Sequence, residues 1–185
     1  MGNKLMMKLF IASEAFFFLS LIVAYVYFWQ AANFREEALT HLDIRTSGVF
    51  TALLIASSLT FFLAERSQRK QKIGTSKLWL FATLLLGVVF LLGQAHEYYN
   101  LITHDITLSK DEFGTSFFTL TGFHGLHVLL GLIMISIIMG LVFNGHLKND
   151  NNKVLATAGI YWHFVDGVWI VVFTLIYVLP HLVHL

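Results

Sequence analysis

The stretch Gly114-Thr-Ser-Phe-Phe-Thr-Leu-Thr-Gly-Phe-His-Gly-Leu-His-Val128 leads directly into residues 129–143, which carry no charge. No Lys or Arg occurs between residues 113 and 147. A membrane-spanning helix needs about 20 mainly apolar residues, so this run is long enough to cross a bilayer. His124 and His127, three residues apart, therefore lie at hydrocarbon depth, where ionisable side chains are costly and usually face a bundle interior. Two further polar clusters interrupt apolar runs: Tyr161-Trp-His-Phe-Val-Asp166 downstream and Ser13-Glu14 upstream.

Four other windows qualify by the same measure, giving spans at about 5–29, 46–64, 78–102, 114–143 and 154–179. The expected fold is all-α: a polytopic membrane protein with a five-transmembrane-helix bundle as one domain over residues 1–185. Composition agrees. The chain is 57% hydrophobic and 12% charged, against about 25% charged in a soluble domain. A net charge of +1 gives no electrostatic reason for a nucleic-acid partner. Without cysteine, disulfides, thiolate metal sites and cysteine catalysis drop out together. The first apolar run is too long for a secretory signal and lacks a small-residue cleavage site, so it reads as a retained helix.

Connectors are polar. In residues 65–77, Gly74 reads as a breaker and Thr75 or Ser76 as an N-cap. Asn144-Gly145 reads as a turn, and Pro180 as the stop of the last helix. Nine of the 12 basic residues fall on the side of the N-terminus, and only Arg35, Arg45 and Lys110 on the other. The positive-inside rule then puts the N-terminus in the cytoplasm (or matrix) and the C-terminus outside, which in a bacterial plasma (inner) membrane is the periplasmic side. Tyr27, Trp29, Tyr98, Tyr99 and Tyr177 gather near the outer ends, as interfacial anchors do. The second span is the least hydrophobic. Its Gly48, Ala52, Ala56 and Thr60 recur every four residues as a small-residue stripe, expected in helix–helix contact.

The buried polar residues admit several chemistries. His124, His127 and His163 suggest a metal, or axial ligation of a b-type haem, but the Glu-x-x-His repeats of carboxylate-bridged centres are absent from the sequence. Glu14, with Asp166, His127 and Glu97 as the other deep candidates, suggests a proton path. Transporters, however, tend to show internal repeats or broken helices, and Gly87, Gly93 and Gly131 are too scattered to mark them. The remaining reading is a polar network locking helices together, with each imidazole on a carboxylate, hydroxyl or carbonyl. Phe16, Phe17 and Phe18 flank Glu14 and would keep water from it. His181 and His184 read as interfacial, and Met6, Met7, Met134 and Met139 as packing.

Four motifs in sequence order then carry a resemblance. Ile11-Ala-Ser-Glu-Ala-Phe-Phe-Phe18, Gln94-Ala-His-Glu-Tyr-Tyr99, Ser116-Phe-Phe-Thr-Leu-Thr-Gly-Phe-His-Gly-Leu-His-Val128 and Tyr161-Trp-His-Phe-Val-Asp-Gly-Val-Trp169 resemble subunit III of the haem–copper terminal oxidases. Phe123 before His124, and Gln94-Ala-His-Glu97, are more similar to the cytochrome c oxidase branch than to the quinol oxidases. The resemblance implies a non-catalytic core subunit of a proton-pumping oxidase. It would pack on subunit I, alongside subunit II and small subunits, and support proton uptake. Haem and copper would sit in those partners and none on this chain. Phospholipid in a cleft, and a place in a larger respiratory supercomplex, are further family associations. Glu14 matches the family's buried carboxylate, Glu97 the one before paired tyrosines, and His124, His127, His163 and Asp166 the intramembrane polar cluster.

Three departures stand out. Longer relatives have two helices before the Glu14 helix, which form one wall of the lipid cleft. Leu141 stands where many relatives have an Arg suited to a lipid phosphate. Gly167 replaces the usual Val after Asp166 and is expected to loosen local packing. The first two put the family's lipid site in doubt.

Overall fold

A computed structural model of the chain describes residues 2–31, 34–108, 112–143 and 151–182. In chain order the helices are α1 (Gly2–Ala31), α2 (Phe34–His41), α3 (Ile44–Arg69), α4 (Ile73–Thr103), α5 (Glu112–Phe143), α6 (Asn151–Phe173) and α7 (Leu179–Leu182). A π turn, Thr174–Val178, joins the last two. Five helical stretches are long and apolar enough to cross a membrane, with α6, the π turn and α7 forming one of them. Each window expected from hydropathy lies inside one of these stretches. The helices run further because their polar ends still close backbone hydrogen bonds, which hydropathy does not register.

α6 is the hub. It packs on α1, α3 and α5, while α3–α4 and α4–α5 contacts complete a ring. α1 lies outside that ring, over the α5–α6 seam, and only 11% of its apolar window is buried. Trp162 and Trp169, both fully buried, fill the middle of the bundle from α6.

The short α2 was not expected. Phe34 and Ala38 turn inward, and Glu36 and Glu37 stand in its first turn, where the helix dipole favours negative charge. Arg35 Nε donates to the Pro180 carbonyl at 3.1 Å, tying α2 to α7. Asp43 caps α3: the Thr46 hydroxyl donates to its Oδ2 at 2.5 Å and the Arg45 N–H to its Oδ1 at 2.9 Å. Those two bonds hold its carboxyl below the usual carboxylate range.

Several local expectations fail. Gly74 does not break the chain; it lies in the first turn of α4, and Lys72 holds the N-cap position. The reversal occurs at Gln71, whose φ of 58° is left-handed. Ser76 is buried inside the α3–α4 hairpin, where its hydroxyl donates to the Ala64 carbonyl at 2.9 Å instead of capping. Pro180 does not stop the last helix either. A proline removes one N–H and crowds the carbonyl four residues back. Here the chain widens into the π turn first, with the Leu179 N–H reaching the Thr174 carbonyl, and then continues into α7. The Asn144-Gly145 turn lies outside the described residues.

The small-residue stripe is only partly a contact. Thr60 Oγ1 meets Thr83 Oγ1 of α4 at 2.8 Å, and a Cβ on Gly48 would lie 3.9 Å from Phe173. Ala52 is exposed. The buried face of α3 is set instead by Ser47, Thr51, Leu54, Ser57 and Phe61. Gly167 is also exposed, with nothing within 4 Å of where its Cβ would stand, so it loosens nothing inside the bundle.

Close approach is bought elsewhere by glycine. A Cβ on Gly131 would come within 2.8 Å of the buried Trp162 ring, whereas one on Gly140, in the same helix, would meet nothing within 4 Å. Gly131→Ala is expected to lower thermal stability in detergent, by about 1–3 kcal/mol of overpacking. Gly140→Ala should leave the melting temperature unchanged or slightly raised. Equal melting temperatures for the two variants would show that the Trp162 contact does not limit the packing.

Candidate functional site

Glu14, about a third of the way along the apolar span of α1 from its N-terminal end, faces α5. Its Oε2 lies 3.0 Å from His127 Nε2. The other ring nitrogen, Nδ1, is 2.7 Å from the Phe123 carbonyl of its own helix. A carbonyl only accepts, so Nδ1 must carry a hydrogen. Nε2 then either accepts from a protonated Glu14 or, in the imidazolium, donates to the carboxylate. In both forms one proton occupies the Nε2–Oε2 bond. The Tyr161 hydroxyl donates to the His127 carbonyl at 3.0 Å, adding α6 to the junction. Phe18 stands edge-on to the imidazole at 4.9 Å, and Phe17 packs between the ring and Phe123. The pair is a mostly buried proton-holding unit with aromatic walls; side-chain exposure is 10% for His127 and 21% for Glu14.

His124 is one turn away but does not join it. It is fully buried, stacked on Trp169 at 4.7 Å with Phe90 edge-on at 5.9 Å, and neither ring nitrogen has a partner among the described residues. His163 turns the other way, toward α3, with Nδ1 2.6 Å from Ser58 Oγ. Asp166 lies buried on that same side of α6, and neither carboxyl oxygen has a hydrogen bond in ideal geometry among the described residues. The Ser58 hydroxyl is near enough to act on Asp166 as well, and can donate to that carboxyl while accepting from His163 Nδ1.

Glu97 belongs to a separate knot at the outer end. Ser47 Oγ donates to its Oε1 at 2.8 Å and Tyr177 Oη to its Oε2 at 2.6 Å, joining α3, α4 and the π turn. The neighbouring His96 is exposed. The six residues singled out from sequence thus fall into separate places. The structure brings Glu14 to His127, puts His163 beside Asp166, and leaves His124 and Glu97 apart from both.

Sequence reasoning missed the partners. α3 presents a ladder of hydroxyls to α6: Thr51 Oγ1 accepts from Trp169 Nε1 at 2.9 Å, and Ser57 Oγ from Trp162 Nε1 at 3.1 Å. The signal was present as two tryptophans seven apart in one span and hydroxyls six apart in another. Tyr98 and Thr121 make a similar 2.8 Å link between α4 and α5. Among the described residues no three His, Asp or Glu side chains converge as a metal-ligand group. The chemistry the arrangement supports is therefore proton holding and interhelical hydrogen bonding.

Comparison with known proteins supplies the family. The family model described as cytochrome c oxidase subunit III matches residues 1–180. A probable cytochrome c oxidase subunit 3 of Mycobacterium leprae is 36% identical over 167 residues, covering 90% of this chain and 83% of the relative. Cytochrome c oxidase subunit 3 of Synechocystis is 35% identical, covering 92% of this chain and 73% of the relative. A cytochrome bo(3) ubiquinol oxidase subunit 3 of Pseudomonas aeruginosa is 40% identical, but over only 71% of this chain and 63% of the relative. Near-complete matches to the first kind, and a polar core built on the motifs that carry the likeness, lead to one conclusion: the chain belongs to the cytochrome c oxidase subunit III family.

Proposed function

We propose that this chain seats against subunit I of its oxidase and supports proton supply to it, while the redox chemistry is carried by haem and copper in partner subunits. The observation behind this reading is the Glu14–His127 pair: one proton held in a 3.0 Å bond between α1 and α5, behind an aromatic wall. An imidazole–carboxylate pair of this kind can carry its one proton on either partner without a net charge appearing in hydrocarbon, where a lone charge is expensive; passing that proton on leaves a single charge spread over two groups instead of one. Subunit II and small subunits complete the complex in this reading, and phospholipid and a larger supercomplex are compatible with it. The N-terminus lies in the cytoplasm, following the Lys and Arg bias. That orientation puts Glu14 on the side from which protons are drawn. The extent of the cytochrome c oxidase matches favours cytochrome c over quinol as the donor.

Two variants test this. Glu14→Gln keeps shape and hydrogen bonding but removes the ionisable group. The oxidase carrying it should assemble with normal haem spectra and keep most of its initial turnover, yet take up protons more slowly or inactivate sooner during sustained turnover. Immediate loss of turnover with normal spectra would make the carboxylate an obligatory conduit, and no change at any pH would make it a packing residue. His127→Ala tests the metal alternative by elemental analysis of the isolated subunit. The expected result is no stoichiometric metal in either form; metal present in the parent and lost in the variant would overturn the proton-holding role.

A further inference from the structure

The α3–α6 seam carries ionisable groups that the Glu14–His127 pair does not use. At its basic end, beside the connector that holds Arg66, Arg69, Lys70, Lys72 and Lys77, Glu65 is ion-paired to Arg69 and its side chain is only 13% exposed. Gly159 gives that carboxylate room against α6: a Cβ there would stand 3.7 Å from Glu65 Oε2 and 2.9 Å from the Phe61 ring. One turn further along α6 comes the exposed His163, edge-on to Phe61 at 6.0 Å and within electrostatic reach of Glu65. Its Nδ1 lies 2.6 Å from Ser58 Oγ. The Ser58 hydroxyl in turn reaches Asp166, which is 4% exposed.

From Gly159 to Asp166 is seven residues, or about 10 Å of helix rise. Over that depth the seam presents a carboxylate, an imidazole, a hydroxyl and a carboxyl in order. The neighbouring hydroxyls of α3 are arranged differently. Ser57 and Thr51 each accept from a tryptophan N–H and donate to a carbonyl of their own helix. An indole N–H only donates and a carbonyl only accepts, so those two hydroxyls lock helices and pass nothing on. Ser58 alone stands between two groups that can each gain or lose a proton. The deep ionisable groups of α1 and α5 turn elsewhere: Glu14 and His127 face each other, and His124 is stacked on Trp169.

We propose that Glu65, His163, Ser58 and Asp166 form a second proton-exchange site, in which Asp166 trades its proton with the basic end of the bundle through Ser58 and His163. A proton received at His163 Nε2 releases the one on Nδ1 to Ser58 Oγ, and the hydroxyl proton of Ser58 passes to an Asp166 oxygen. The serine hydroxyl is thereby restored, the imidazole is left neutral with its hydrogen on Nε2, and the carboxyl is protonated. The return runs through the same bonds in reverse. Glu65, as the outermost member, receives protons from water and presents them to the imidazole. This site stands whether or not Glu14 serves a partner subunit.

The carboxyl can be read directly by infrared difference spectroscopy on the full chain in liposomes, followed across pH and then moved from H2O to D2O. The band of protonated Asp166 is the carbonyl stretch that Asp166→Asn removes and Asp166→Glu displaces. In the unsubstituted chain it should be present and should shift in a fast phase on transfer to D2O. His163→Gln can still hydrogen-bond Ser58 but carries no proton through, and Ser58→Ala removes the hydroxyl between the two groups. Each should keep the band and lose the fast phase, whereas Ser58→Thr should retain it. A fast phase that survives both His163→Gln and Ser58→Ala would overturn the exchange site, as would the absence of any Asp166-dependent carboxyl band at every pH. Slow exchange already in the unsubstituted chain would do the same, so the outcome does not hang on the folding of any one variant.

Discussion

In hydrocarbon, no water is present to complete a hydrogen bond, so a polar side chain in the bundle is costly unless another part of the protein answers it. α6 shows how far this constraint shapes the fold. Its two tryptophans bring large apolar rings to the centre of the bundle, but each also carries an N–H. Those N–H groups fix the rotation of α3, because only one face of α3 offers Ser57 and Thr51 at the matching heights. Once α3 is set, α4 follows through Ser76, Thr60 and Glu97. Apolar packing alone would hold these helices much less specifically, since lipid tails are as apolar as Leu.

The five spans were legible because length and hydropathy are additive along the chain. The polar clusters were legible because each stands out against an apolar background. What the sequence did not show was direction. His124 and His127 are three apart and share a broad face, yet one ring enters the aromatic centre and the other meets α1. The α3 stripe failed for a related reason. A period of four drifts around a helix of 3.6 residues per turn, so Gly48 and Thr60 end up beside different neighbours and Ala52 faces outward. At Ser76 and Pro180 local rules were overruled by tertiary context: a buried carbonyl needed a donor, and a π turn absorbed the proline before the helix could end.

The buried ionisable groups divide by situation. Glu97 is satisfied on both oxygens by neutral hydroxyls and works as a structural clasp at the outer rim. Glu14 and His127 satisfy each other with a proton between them. Asp166 has only the Ser58 hydroxyl within reach among the described residues, and shares it with His163. A carboxyl held by two hydroxyls and one held by a base are suited to anchoring and proton exchange respectively. The same side chain is thus given different work by its surroundings alone.

The peripheral seat of α1 bears on how the protein is made. α1 is synthesised before α3 and α4, but its partners in the bundle are α5 and α6, which follow after both. Glu14 therefore enters the bilayer more than a hundred residues before the imidazole that receives it exists. Closure of the bundle is then a non-local step, completed only when α1 meets the α5–α6 seam and Glu14 reaches His127. α1 is thus tied into the bundle by long-range contacts alone apart from α2, and can lock only after α6 has been made.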